Sequence, residues 1–145
     1  YFKKTIIPKR VFDEVTKCKE KNFVDIKIIV DLVERNEIKV IEIKNQKNLE
    51  KIKEFNIQGG EAEAVDLYWQ ENADYLATDD DNVRKKNLLL NIKLIGTPVI
   101  ILKLYEEKMI DKNKFVESIN KLRKIGWFSN TILDKILMEV KWHNQ

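Results

Sequence analysis

Cysteine and histidine each occur once, as Cys18 and His143, in a chain of 145 residues. A lone cysteine excludes an internal disulfide and fits a reducing compartment. A lone histidine near the chain's end all but excludes histidine-based catalysis and histidine-rich zinc sites. Four glycines and two prolines leave little material for long loops, so short connections between helices are expected. No apolar run approaches the roughly 18 residues of a membrane span, and no signal-peptide pattern opens the sequence. A cytoplasmic location without a membrane partner is the expectation. Charge of neither sign dominates: 27 basic against 24 acidic residues give a net charge of +3. That balance permits nucleic-acid binding without arguing for it. What is present is a 43% hydrophobic, 35% charged chain, the profile of a globular protein. Its length suits one domain, residues 1–145, with a real core. The heavy use of Lys, Glu and Ile fits a thermophilic source or a biased genome composition.

Hydrophobic periodicity orders the chain. Ile6-Ile7-Pro8 reads as an extended piece that runs into a helix, with Val11, Val15 and Cys18 on one stripe. Asn22 is placed to cap a second helix bearing Val24, Ile28 and Leu32 on one face. Residues 39–43 form a β-branched strand, and Leu49, Ile52 and Phe55 return to helical spacing. A helix is expected from near Glu61 to about Asn72, then short strands at residues 75–77 and 93–95 around a helix at 83–90. Helices at 97–105, 112–124 and 130–140 complete the pattern, with Thr97 as a cap and Pro98 in the first turn. Helices alternating with short strands indicate an α/β layer architecture around a parallel sheet.

The chemistry concentrates between residues 59 and 81. Gly59-Gly60-Glu61-Ala62-Glu63-Ala64 opens one helix, and Thr78-Asp79-Asp80-Asp81 closes the following strand. Carboxylates gathered without a cation repel by roughly 4 kcal/mol per pair at 4 Å and an effective dielectric near 20. Such crowding calls for a divalent metal or a proton. Helical register puts Glu61 on a sheet-facing stripe with Ala64, Val65 and Tyr68. The same register groups Glu63 with Asp66 and Gln70 on a more solvated side. Asp79, Asp80 and Asp81 follow a strand's carboxyl end, where open α/β sheets place ligands. Glu14 joins from an earlier helix. Oxygen donors from three elements point to Mg²⁺ or Mn²⁺.

Each feature also has a structural reading. Glu61 and Glu63 suit the positive end of a helix dipole. Thr78 or one aspartate suits a cap for the helix near Asn82. Glu14 can pair with Arg10, and Asp13 with Lys17. Arg84-Lys85-Lys86, with Lys9 and Arg10, can steer a phosphate backbone or simply form solvated faces. Trp127, Phe128 and Trp142 suit a core or a dimer face better than base stacking.

Together, Gly60-Glu61-Ala62-Glu63-Ala64, Tyr75-Leu76-Ala77-Thr78-Asp79-Asp80, Arg84-Lys85, Ile95-Gly96-Thr97 and Ile125-Gly126-Trp127-Phe128 resemble the PIN-domain nucleases. The likeness is greatest to a prokaryotic, toxin-related branch with a GEAEA helix and an IGT turn. Flap endonucleases use a similar E-A-E-A helix and T-x-D loop. The resemblance implies a three-layer α/β fold with a short parallel sheet flanked by helices. It implies a Mg²⁺- or Mn²⁺-dependent endoribonuclease, with RNA as substrate and an antitoxin protein or a second copy of the chain as partner. The family's acids would fall on Glu14, Glu61 and either Asp79 or Asp80, with Glu63 as a further metal ligand. From the charge pattern, Arg84, Lys85, Lys86, Lys9 and Arg10 are the candidate nucleic-acid contacts. The family's central first strand, with its aspartate, has no counterpart after Tyr1. A lost upstream segment, a strand from another chain and a degenerate relative all remain open. A non-catalytic PIN-like interaction module is the alternative function. A phosphotransfer enzyme built on the aspartates lacks a nucleophile.

Overall fold

The computed structural model describes residues 2–17, 23–44 and 47–142. Cys18, the expected cap at Asn22 and His143 lie outside the described residues, as do the side chains of Phe23, Lys141 and Trp142. The chain divides into two compact units, residues 2–94 and a second beginning at Ile95.

In the first unit, β1 (Thr5–Pro8) passes without a loop into α1 (Lys9–Lys17). Buried Pro8 makes this possible: its fixed φ suits a helix entrance, and its missing N–H is no loss at a strand's end. α2 (Phe23–Glu34) returns the chain to β2 (Ile38–Ile41), which lies parallel to β1 with Thr5 opposite Ile38 and Pro8 opposite Ile41. A parallel pair needs such a helical crossover, and it leaves both carboxyl ends on one edge.

α3 (Lys47–Glu54) and α4 (Gly59–Gln70) follow. α4 is central, packing against α1, α3, β1 and β3 (Leu76–Ala77). α5 (Asp81–Lys85) is a short helix continued by turns, in place of the full helix expected at 83–90. β3 pairs with β4 (Leu94–Ile95), and the Leu76 N–H donates to the Lys93 carbonyl at 2.8 Å. Among the described residues the strands thus form two separate two-stranded sheets, where the sequence suggests one. The first unit's core gathers Ile52, Ile57, Ala62, Val65, Leu76, Val83, Leu90 and Ile92.

The second unit is helical: α6 (Thr97–Glu106), α7 (Lys112–Ile125) and α8 (Asn130–Trp142). Leu102, Phe115, Ile119, Phe128, Leu133, Ile136 and Val140 form its core, and the Tyr105 and Phe115 rings lie 5.0 Å apart. Gly96, rather than Thr97, is the N-cap of α6, so no side chain caps this helix. Phe128 is core, as expected, whereas neighbouring Trp127 is 79% exposed. No described helix is long and apolar enough to cross a membrane.

The scarcity of glycine has a visible remedy. Left-handed backbone occurs at Asn36, Asn56, Asn72, Asn91 and Lys108, each just past a helix or turn. Asparagine tolerates this region better than other L-residues, so it ends helices where glycine commonly would.

Candidate functional site: a carboxylate groove at the edge of the parallel pair

The carboxyl ends of β1 and β2 deliver α1 and Glu42-Ile43 to one edge of the first unit, and α4 brings Glu63 against it. Between them lies an open groove of about 630 Å³ lined by Lys9, Arg10, Asp13, Glu14, Lys17, Glu42, Ile43 and Glu63. Three cations therefore face four carboxylates. This is where an open α/β sheet is expected to hold a ligand.

Glycine decides how closely α1 approaches α4. A Cβ on Gly60 would lie 2.8 Å from Glu14 Oε2 and 3.0 Å from Val11 Cγ2. Gly59 has φ +63°, and a Cβ there would meet Arg10 Nη2 at 3.7 Å and Glu14 Oε1 at 3.9 Å. The Gly59-Gly60 backbone is thus a seat for the Arg10 and Glu14 side chains. The Glu14 carboxylate lies at the positive end of α4, whose N-cap residue, Gln58, makes no side-chain cap.

Arg10 links the acids. Its Nε donates to Glu14 Oε1 at 3.1 Å, and its Nη1 lies 4.0 Å from Glu63 Oε1. Glu14 is about half exposed, whereas only 18% of the Glu63 side chain is accessible. Desolvation raises the Glu63 carboxyl above its ordinary range, and Arg10 partly opposes that rise. Asp13 shifts the other way. Lys9 Nζ donates to both its oxygens at 3.0 and 3.1 Å, holding its carboxyl below the usual range, with Lys17 Nζ 3.8 Å away.

The order of Glu61 and Glu63 is the reverse of the sequence expectation. Glu61 is exposed, and Glu63 is the partly covered acid facing α1. Register alone assumed a helix covered on one side, but α1 and β1 pack where Glu63 was expected to meet solvent. Asp66 is likewise fully buried rather than solvated, accepting from Asn48 Nδ2 at 2.9 Å and Gln70 Nε2 at 2.8 Å.

The groove lining does not include Glu61, Asp79 or Asp80. Asp80 caps α5: its Oδ1 accepts from the Val83 N–H at 2.8 Å, and its own N–H donates to Thr78 Oγ1 at 3.1 Å. Asp81 pairs with Arg84 and Lys85 at 3.8 and 3.4 Å. Lys86 Nζ reaches the Phe55 carbonyl and donates to Asn82 Oδ1 at 2.5 Å. Lys9 and Arg10 do line the groove; Arg84, Lys85 and Lys86 do not. Glu42 went unremarked because the sequence places it inside a strand over 39–43; the strand ends at Ile41, which leaves Glu42 at the carboxyl edge.

Hard oxygen donors suit the Mg²⁺ or Mn²⁺ that the resemblance implies, but their assembly does not. Among the described residues no three Asp, Glu, His or Cys side chains are gathered to hold a metal ion. Between Glu14 and Glu63 the positive charge is a guanidinium. As arranged, the set does not fit a divalent cation.

No curated protein and no solved structure matches the chain. A family model does, over residues 1–141. Its description is DUF3368, PIN domain, and a match of that extent places the chain in this PIN-domain family.

Proposed function

We propose that this chain is a PIN-type endoribonuclease and that the groove between α1, β2 and α4 holds its RNA substrate. The family itself suggests a nuclease-like role, and PIN domains generally use divalent metals. The observation that carries the reading is the convergence of Glu14 and Glu63, from helices distant in sequence, at the carboxyl edge of a parallel strand pair. Lys9, Arg10 and Lys17 supply charge of the sign a phosphate backbone needs. In this reading Lys9, Arg10 and Lys17 hold the phosphate backbone, and Glu14 and Glu63 orient the Arg10 guanidinium. Mg²⁺ or Mn²⁺ dependence calls for donors beyond these two, such as an aspartate on a further strand beside β1. An antitoxin is the protein partner that the reading proposes.

One observation favours a second reading, a catalytically inactive RNA-binding or interaction module. Arg10 already pairs with Glu14 and lies 4.0 Å from Glu63, and Asp80 is engaged as a helix cap. Incubating the full natural protein with single-stranded RNA in Mn²⁺, in Mg²⁺ and in chelator separates the two. Metal-dependent cleavage that Glu14→Gln and Glu63→Gln each abolish supports the nuclease. RNA binding without cleavage under any condition selects the module, and neither binding nor cleavage sinks both.

A further inference from the structure

Trp127 stands on the second unit with 79% of its surface in water, beside Ile125 at 54%. Sequence alone suits this ring to a core or a dimer face, but the core takes the next residue, Phe128, in its place. We propose that Trp127 is a stacking platform for an unpaired base of single-stranded RNA, with Lys124 holding the adjoining phosphate. The contact rests on the reading of RNA as substrate and adds to it a binding site on a different unit from the groove.

The ring is presented from a turn that is fixed on both sides. Gly126 closes α7 in left-handed backbone, and its N–H donates to the Leu122 carbonyl at 3.2 Å. Phe128 anchors the chain in the core, and the Ser129 carbonyl accepts from the Ile132 N–H at 3.1 Å as α8 begins. Arg123 clasps the two helices, its Nη1 donating to Asn130 Oδ1 at 2.9 Å and its Nη2 to Asp134 Oδ1 at 2.5 Å. The backbone beneath Trp127 is therefore ordered before a ligand arrives, which reduces the entropy lost on binding.

Charge decides between a base and a protein surface as the ring's occupant. Residues 95–145 hold nine basic and six acidic side chains, all of the chain's net +3, whereas residues 1–94 hold eighteen of each. Lys121, Arg123 and Lys124 precede Trp127 with no acid among them. Lys121 pairs with Glu117 at 2.7 Å and Arg123 with Asp134, but Lys124 is exposed and its side chain has no partner among the described residues. Lysine is depleted at the centres of protein interfaces. Single-strand binders instead combine a ring for the base with a cation for the phosphate. Three residues separate Lys124 from Trp127, so their backbones lie at most about 11 Å apart and both side chains can meet one nucleotide. Exposed Ile125, between them, adds apolar surface for a sugar.

Affinity for a short fluorescein-labelled single-stranded RNA is measured by anisotropy in chelator, which prevents metal-dependent cleavage. The full chain is compared with Trp127→Ala, Trp127→Phe, Lys124→Gln, Arg10→Gln in the groove and, as an exposed apolar control, Leu89→Ala. Trp127 lies outside the core, so its variants should fold. Trp127→Ala should weaken binding about tenfold with its salt dependence unchanged, and Trp127→Phe should keep most of the affinity. Lys124→Gln should reduce the slope of log affinity against log salt by about 0.7. Leu89→Ala should change nothing, and an abasic strand of the same length should bind wild type and Trp127→Ala equally.

Equal affinity of wild type and Trp127→Ala for the RNA overturns the proposal, and weaker binding by Arg10→Gln in the same experiment leaves the groove standing. An equal loss on the abasic strand, or in Leu89→Ala, also overturns it, since the effect is then not stacking on this ring. Self-association in sedimentation that Trp127→Ala abolishes, with RNA affinity unchanged, makes the ring a protein contact instead. Weaker binding by Trp127→Ala with Arg10→Gln unaffected upholds the proposal and refutes the groove as the RNA site. A wild-type chain that binds no RNA refutes both.

Discussion

Substituting Gly60 by Ala tests whether the groove depends on the seat that two glycines provide. In an exposed helix interior, Gly→Ala stabilises by roughly 1 kcal/mol through backbone propensity. At position 60 the new Cβ would lie 3.0 Å from Val11 Cγ2 and 2.8 Å from Glu14 Oε2. The Glu14 carboxylate is half exposed at the end of a flexible side chain and can swing aside. Val11 cannot move without α1, because its branched side chain is fixed at Cβ. Overpacking of this kind costs about 1–3 kcal/mol, so the propensity gain should vanish and a net loss of about 1 kcal/mol should remain. Urea unfolding followed by far-ultraviolet circular dichroism, with linear extrapolation, measures the difference. Val11→Ala combined with Gly60→Ala should recover about 1 kcal/mol relative to additivity, a coupling that a double-mutant cycle isolates. A Gly60→Ala protein that is about 1 kcal/mol more stable than wild type, with no coupling to Val11, would show that α1 is not seated on this backbone.

Asp66→Ala should destabilise by about 3 kcal/mol in the same unfolding assay, because two hydrogen bonds to a buried carboxylate are lost and Asn48 loses its acceptor. A loss below about 0.5 kcal/mol would mean that the buried network is not formed. Asp80→Ala should cost about 1 kcal/mol as the cap of α5 disappears, whereas Asp80→Ser should retain most of the stability. Equal losses from both would rule out a capping role. Protonation should separate the two acids of α1 and α4. Glu63, with its folded value raised, favours the native state most at low pH and loses that contribution as pH climbs through the folded value. Asp13, with its value lowered, contributes above its unfolded value and loses the contribution as pH falls through the folded one. Glu63→Gln should therefore gain stability relative to wild type as pH rises, and carboxyl carbon shifts should titrate above 4.5 for Glu63 and below 3.8 for Asp13. The reverse order would refute the assigned environments.

Local chemistry made much of the chain legible in one dimension. Pro8 fixes the junction of strand and helix, Asp80 caps its helix beside Thr78, and Arg10 meets Glu14 one turn later; each involves residues within four positions of one another. Spacing of that kind follows from backbone geometry alone. The sequence by itself also settled the poverty in histidine and cysteine, which leaves oxygen as the available metal-donor chemistry. It did not decide which side of α4 is covered. That depends on α1 and β1 closing over the helix from a distant part of the chain, and it exchanges the roles expected of Glu61 and Glu63. Nor do residue types reveal that Glu42 joins the same edge, since this requires β2 to lie parallel to β1 in a particular register. Single elements obey local sterics and propensity. The groove arises where elements distant in sequence meet, and packing between helices and strands, including the room left by two absent Cβ atoms, determines which charges face one another.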